Sequence, residues 1–302
     1  MKLYAPEYYK NFVCIADKCK HSCCIGWEID IDEYTLNKYN SLSHPYKETI
    51  LNSIETTDTP HFKLAKQNRC PHLNKSGLCN IILNVGENYL CDICREHPRF
   101  YNYTTRGKEV GIGISCEEAC RIVLTSDNYT NIIEIDSDNG TPQEYEFDAV
   151  RKRENIYKIL SDRSVSYDKR LEQISRKYEV GLNVNTDAEW QDFIFSLEYL
   201  DASHKNLFSS YSSDVLPTPN NTLYAERLLA YFIYRHCSQA DTYEVFRASL
   251  GFALFCEKLF VSIIEAKQLT DIDDIVNIAR IISEEIEYSE DNSDNIKLEF
   301  YF

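Results

Sequence analysis

FVCIADKCKHSCCIGWEIDID, residues 12–32, carries Cys14, Cys19, Cys23 and Cys24 ahead of the alternating run Trp27 to Asp32. Six more cysteines follow by residue 120: Cys70, Cys79, Cys91, Cys94, Cys116 and Cys120. Only Cys237 and Cys256 remain for the rest of its 302 residues. Thiols clustered in this way either close disulfides or hold a metal. No apolar run suits a signal peptide or a bilayer span, so the expected compartment is the cytoplasm. In reducing cytosol, dense cysteines read as metal ligands or redox groups rather than staples.

Spacing narrows the chemistry. Adjacent Cys23 and Cys24 do not reach one tetrahedral ion without strain. They suit two nearby sites, or one ligand beside a buried thiol. Cys91-x2-Cys94 has the spacing of a zinc knuckle or of one corner of an iron–sulfur site. No second matched pair exists to make a zinc ribbon. Iron–sulfur clusters accept thiolates gathered from distant loops. His21, His72 and His97 lie beside the cysteines, which keeps a mixed Cys/His zinc site open. Cys256 falls in the stripe Phe252, Leu259, Phe260, Ile263, and Cys237 closes an aromatic helix; both read as small core hydrophobes.

Charge divides the chain. Residues 1–120 carry 14 Lys+Arg against 15 Asp+Glu, whereas residues 121–302 carry 18 against 33 and most of the net −16. Such an acidic surface repels phosphate backbones and excludes nucleic acid as an expected partner. The reading is a mainly α protein in two parts. A cysteine-rich, irregular α+β metal-binding module spans residues 1–124, a polar linker 125–144, and an acidic all-helical domain 145–302.

Within the first part, the alternation of Trp27, Ile29 and Ile31 with Glu28, Asp30 and Asp32 predicts a short half-exposed strand. Residues 33–56 predict one or two helices broken near His44-Pro45. Residues 70–79 predict two arms about a turn at Gly77, and 80–91 a helix. Residues 100–115 predict a hairpin about Thr105–Gly107, and a helix runs from Cys116 to about Leu124. Beyond the linker, helices are expected at 146–161, 167–178, 188–200, 222–237, 242–266 and 271–287, with a loop at 203–219.

Residues 12–32 resemble the opening motif of the flagellin lysine-N-methylase family. Further similarity lies in Cys70-Pro-His-Leu with Gly77-Leu-Cys79, in Cys94 through Pro98-Arg99, and in Ser115-Cys116. It continues weakly through residues 226–236. The resemblance implies eight metal ligands, Cys14, Cys19, Cys23, Cys24, Cys70, Cys79, Cys94 and Cys116, with Cys91 and Cys120 as additions in this chain. It implies an iron–sulfur cluster, with zinc as the alternative. It also implies methyl transfer from S-adenosylmethionine to lysines of flagellin or another lysine-bearing protein.

The residues themselves support the metal but give no methyl-donor fingerprint. A Rossmann methyltransferase opens with a strand and a glycine-rich turn; the only GxG here is Gly111-Ile-Gly113. Cys19-x3-Cys23 begins a CxxxCxxC motif, but its third position falls on Gly26. Tyr231 and Tyr234 are possible pocket residues on the aromatic helix ending in Arg235-His236, although tyrosines so placed are more often core. Two functions follow from different classes. One is a protein-lysine N-methyltransferase; the other is a metal-stabilised protein-binding module without catalytic activity. Electron transfer or redox sensing is a third.

Overall fold

Five residues at the start of the chain anchor a sheet whose other strands come from far along it. Strand β1 (Lys2–Pro6) precedes the short β2 (Ile54–Glu55) and β3 (His61–Phe62), then β4 (Arg99–Thr104), β5 (Gly107–Ile112) and β6 (Ile132–Ser137). The computed structural model describes residues 1–57, 59–137, 140 and 145–301. The larger sheet has the order β4-β5-β1-β6. β1 runs parallel to β5, with Leu3 opposite Lys108 and Tyr4 opposite Glu109. It runs antiparallel to β6, with Ala5 opposite Ile133. Gly107 has φ +142°, and a Cβ there would lie 2.6 Å from the Lys2 carbonyl oxygen. Glycine is therefore what lets the backbones approach so closely.

The chain forms two compact units. One comprises Met1–Phe12, Tyr101–Ser115 and Ala119–Phe302, and the other Val13–Phe100 and Cys116–Glu118. The division differs from the expected boundary at residue 124, because β1 and the β4–β5 hairpin are counted with the helices. Residues 145–302 hold only helices among the described residues, as expected, but the compact unit that contains them also takes in β1, β5 and β6. Within the expected linker 125–144, residues 132–137 form edge strand β6. Residues 138, 139 and 141–144 of that linker lie outside the described residues. Strands of five or six residues offer too few repeats to read, and their partners are remote in sequence.

Helices were read more closely. Ala149–Leu160, Tyr167–Tyr178 and Asp187–Ser196 match their expected spans to within a few residues. A capping box, Thr186 with Glu189, starts the third. A short helix, His204–Phe208, interrupts the expected loop 203–219. Thr222–Phe232 and Ile272–Ile282 each continue into a π-helical turn, Ile233–Cys237 and Ser283–Glu287, filling out the predicted lengths. Helix Tyr243–Ala266 is apolar on nearly every face and buried accordingly, with Cys256 inside it. Cys237 is also buried. The acidic tail forms a final helix, Glu290–Leu298, and Phe300 beyond it stacks on Trp190. No helix among the described residues is long and apolar enough to cross a membrane.

The cysteine-rich unit is organised around a small apolar cluster that includes Ile29, Ile31, Tyr39, Ile50, Phe62 and Ile81. The predicted strand 27–32 is an extended arm instead. Ile31 N–H donates to Pro60 (2.7 Å) and Phe62 N–H to Ile29 (3.0 Å), while Ile29 and Ile31 turn inward as the alternation required. Helices Glu33–Ser41 and Lys47–Asn52 flank the break at His44-Pro45. The predicted helix 80–91 stops at Val85, because Gly86 adopts φ +96°. A separate short helix, Asp92–Glu96, follows.

Candidate functional site

Nine of the twelve cysteines belong to the smaller unit, and none of the twelve forms a disulfide. They arrive on loops and helix starts. Cys79 precedes helix Asn80–Val85, and Cys91 precedes helix Asp92–Glu96, which carries Cys94. The arm Leu73–Cys79 closes on itself, and Asn74 Oδ1 accepts from the N–H groups of Ser76 (2.8 Å) and Leu78 (3.0 Å). Cys70 N–H donates to the Cys24 carbonyl (2.8 Å), which ties the first cysteine burst to the second.

Electrostatic neighbours sort the thiols into two groups. Cys24, Cys70, Cys79, Cys91 and Cys94 form one. Cys70 and Cys91 sit within the apolar cluster, and the other three pack against it. Burial pushes the Cys70 thiol up to about 12, and Cys24 and Cys79 add to the effect. Burial also raises Cys79, with Cys24 and Cys91 beside it. Cys94 donates to Cys91, which raises Cys94 and lowers Cys91.

The other group is Cys14, Cys19, Cys23 and Cys116. Burial pushes Cys19 up to about 11, with Glu117, Cys116 and Cys14 adding negative charge nearby. Cys23 is raised by donating to Cys24, by burial, and then by Cys116 and Cys14. The same hydrogen bond brings Cys24 down to about 7 against its burial, helped by Ser22 and Arg69. Consecutive Cys23 and Cys24 thus stand at the junction of the two groups, one in each.

Glu117 holds the second group together. Its Oε2 accepts from Lys20 N–H (2.9 Å), His21 N–H (3.1 Å) and His21 Nδ1 (3.1 Å), and from the Cys19 thiol at 3.8 Å. Burial opposes ionisation, but the bonds from His21 and Lys20 hold this carboxyl below its ordinary value. Sequence reasoning missed Glu117. Its one signal was its place directly after Cys116.

The histidines separate cleanly. His72 is buried and spoken for, with Nδ1 on Tyr46 Oη (2.9 Å) and Nε2 on Ser53 Oγ (2.9 Å). His21 serves Glu117. His97 is half-buried against the edge of Trp27, and its buried Nε2 has no hydrogen-bond partner among the described residues. Burial drives both His72 and His97 down to about 4, so both are neutral imidazoles at physiological pH.

Of the two cysteines read as additions, Cys91 joins the core-packed group. Cys120 lies in the larger unit, where its thiol donates to the Val276 carbonyl at 3.5 Å. The tyrosines read as pocket candidates are core. Tyr231 Oη donates to Glu287 (3.0 Å), and Tyr234 Oη donates to the Val110 carbonyl (3.1 Å). Among the described residues, no three or more Cys, His, Asp or Glu side chains are drawn close enough to grip a single ion.

The smaller unit thus carries nine unbridged thiols on loops and helix starts. Comparison with curated proteins agrees with the resemblance read from the motifs. The chain is similar to Lysine-N-methylase of Salmonella choleraesuis and of Salmonella typhimurium, 26% identical over 133 residues in each case. These matches take in 39% of this chain and 31% of each relative. It is also 24% identical over 126 residues to flagellar biosynthetic protein FliU of Salmonella muenchen, covering 39% of this chain and 75% of that one. The chain therefore spans about a third of the length of the Lysine-N-methylases it matches. No family model matches the chain, and no solved structure does.

Proposed function

We propose that this chain is a protein-lysine N-methyltransferase. Its methyl donor is S-adenosylmethionine, and its substrate is flagellin or another lysine-bearing protein. The observation that carries the reading is the similarity to proteins named Lysine-N-methylase. The acidic balance of residues 121–302 suits a lysine-bearing partner. In the reaction, the lysine Nζ–C bond forms as the donor S–C bond breaks, leaving S-adenosylhomocysteine. The amine must first lose its proton, and its ordinary pKa is about 10.4. Desolvating the amine or placing a basic group beside it lowers that barrier, and in-line placement supplies much of the rate.

The same reading gives the thiols a metal. The donor set of the smaller unit is nearly all sulfur, which suits an iron–sulfur cluster, with zinc as the alternative. No three of these thiols converge on one point as they stand, so loading would draw them together: Cys24, Cys70, Cys79, Cys91 and Cys94 would supply one centre, and Cys14, Cys19, Cys23 and Cys116 a second. A bound cluster would supply cross-linking of the loops and, if reducible, an electron store. The protein's own residues set its surroundings: Glu117 orders the 19–21 loop, and the apolar cluster shields Cys70 and Cys91.

A second reading, a metal-stabilised binding module without catalysis, is favoured by the placing of Cys70 and Cys91 in the apolar core of their unit. A metal there would serve folding. One experiment separates the two. Protein purified without oxygen is analysed for iron, zinc and sulfide, then incubated with labelled S-adenosylmethionine and flagellin. Methyl-lysine in the flagellin mass spectrum is the expected result. Metal-replete protein that binds flagellin and leaves its mass unchanged would sink the enzyme and leave the module.

A further inference from the structure

His97 Nε2 is the only buried side-chain nitrogen or oxygen of the smaller unit that lacks a hydrogen bond among the described residues. A buried polar atom left unmet is costly, and an ion it is placed to bind is one way to meet it. The other two histidines read as open ligands are already engaged. His72 is bonded through both ring nitrogens, and His21 Nδ1 is taken by Glu117.

The thiols set the place of this nitrogen. Cys91 precedes helix Asp92–Glu96, Cys94 lies within it, and His97 closes it, its N–H donating to the Ile93 carbonyl at 3.2 Å. The three residues stand three apart in turn, and side chains three apart on a helix are neighbours. Cys94 is hydrogen-bonded to Cys91 and lies within electrostatic reach of Cys24 and Cys70. Trp27, three residues beyond Cys24, sets its ring edge-on to the His97 ring at 5.8 Å and 82°. Segment 91–97 and arm 24–27 therefore meet twice, once at Cys94 with Cys24 and once at His97 with Trp27.

We propose that His97 Nε2 is a ligand of the metal centre served by Cys24, Cys91 and Cys94, which makes that centre a mixed sulfur–nitrogen one. The proposal rests on the metal reading above. The spacing Cys91-x2-Cys94-x2-His97 delivers three donors from one short segment, so loading draws them in together. Nε2 needs no channel from solvent. Cys91 is itself 1% exposed, and an ion taken up as the unit folds is enclosed by its own ligands. An imidazole in place of a thiolate leaves the centre with one negative charge fewer. In an iron–sulfur cluster that raises the reduction potential, and at zinc it gives a three-cysteine, one-histidine set.

The test reads histidine nitrogen bound to metal, on the full chain purified without oxygen. For protein loaded with ferrous iron and sulfide, the signal is nitrogen coupling in pulsed electron paramagnetic resonance of the dithionite-reduced cluster, with isotope-labelled histidine. For protein loaded with zinc, it is imidazole scattering at the zinc absorption edge. The wild type should show the signal. His97→Gln should lose it, retain sulfur ligation, and release metal to a chelator at least about tenfold faster. A signal unchanged in His97→Gln would overturn the proposal. Should that variant not fold, His21→Gln and His72→Gln decide instead: a signal kept in both upholds His97, and a signal lost in either overturns it. A wild-type centre with sulfur ligands alone would overturn the proposal and leave the metal reading standing. Protein that takes up neither metal would overturn both.

Discussion

Arg153 and Glu109 meet with both side chains fully buried, Nη1 to Oε2 at 2.5 Å and Nη2 to Oε1 at 2.9 Å. The pair joins strand β5 to helix Ala149–Leu160. Ser238 Oγ takes a third bond from the guanidinium, and the Tyr234 ring lies 5.0 Å from it. Burial works against the charged arginine, but Glu109 more than restores it, so Arg153 stays protonated at any accessible pH. Removing one partner strands the other charge away from water. Glu109→Gln should lower unfolding stability by about 3–5 kcal/mol in urea titrations. Replacing both residues together by Leu and Met should cost far less, because no charge is stranded.

Glu257 gives a pH dependence of known sign. It is buried on helix Tyr243–Ala266, accepts from Tyr167 Oη at 2.8 Å, and its Oε2 has no partner among the described residues. Burial raises its carboxyl to about 7, against smaller opposing effects of Lys258 and Tyr167. Tyr211 is a further titratable neighbour. Between the unfolded value of 4.5 and the folded value of about 7, the folded chain holds the proton that the unfolded chain has lost. Stability therefore falls as pH rises through that window. Glu257→Gln keeps the acceptor for Tyr167 and removes the charge. Its advantage over the wild type should be small at pH 4.5 and grow to about 3 kcal/mol above pH 8. Paired melts at the two pH values check this, and an advantage largest in acid would refute it.

How much of this was legible depended on the length of each signal. Helix Tyr243–Ala266 and the stripe Ile275, Ile278, Ile282 repeat often enough to be read from sequence alone. Strand β1 has five residues and ends at Pro6, whereas its partners β5 and β6 begin only at Gly107 and Ile132. No local pattern announces such a pairing. Gly86 shortened a predicted helix because a single positive φ outweighs the propensity of its neighbours. For the thiols, the adjacency of Cys23 and Cys24 left open two nearby sites, or one ligand beside a buried thiol. That Cys91 joins the core-packed group and Cys120 does not was unreadable, since spacing says nothing about which way a helix start faces.

The two-group arrangement makes a prediction about metal content. In protein prepared without oxygen, Cys23→Ser and Cys24→Ser should each lower the metal complement, and the losses should differ because the thiols serve different neighbours. Cys24→Ser should also lower the melting temperature more, since Cys24 packs against the apolar cluster of its unit. Cys120→Ala should leave the metal unchanged. Elemental analysis and melts of the three variants decide the matter. Identical losses from Cys23→Ser and Cys24→Ser would mean one shared centre.

Gly251 offers a test of packing in which two ordinary rules oppose each other. It lies inside helix Tyr243–Ala266, where alanine is the better helix former by about 1 kcal/mol. The Phe300 ring, however, rests directly on it, and any Cβ would strike the ring. That ring is buried and stacks on Trp190, whose centroid is 5.7 Å away, so it has little room to retreat. Overpacking of this kind typically costs about 1–3 kcal/mol. Gly251→Ala should therefore destabilise the wild type. In a Phe300→Ala background the clash is gone, and the same substitution should stabilise by up to about 1 kcal/mol. A double-mutant cycle in urea measures the change of sign. If Gly251→Ala has the same effect in both backgrounds, the ring does not sit where the structure places it, and the docking of the last turn of the chain onto the central helix must be redrawn.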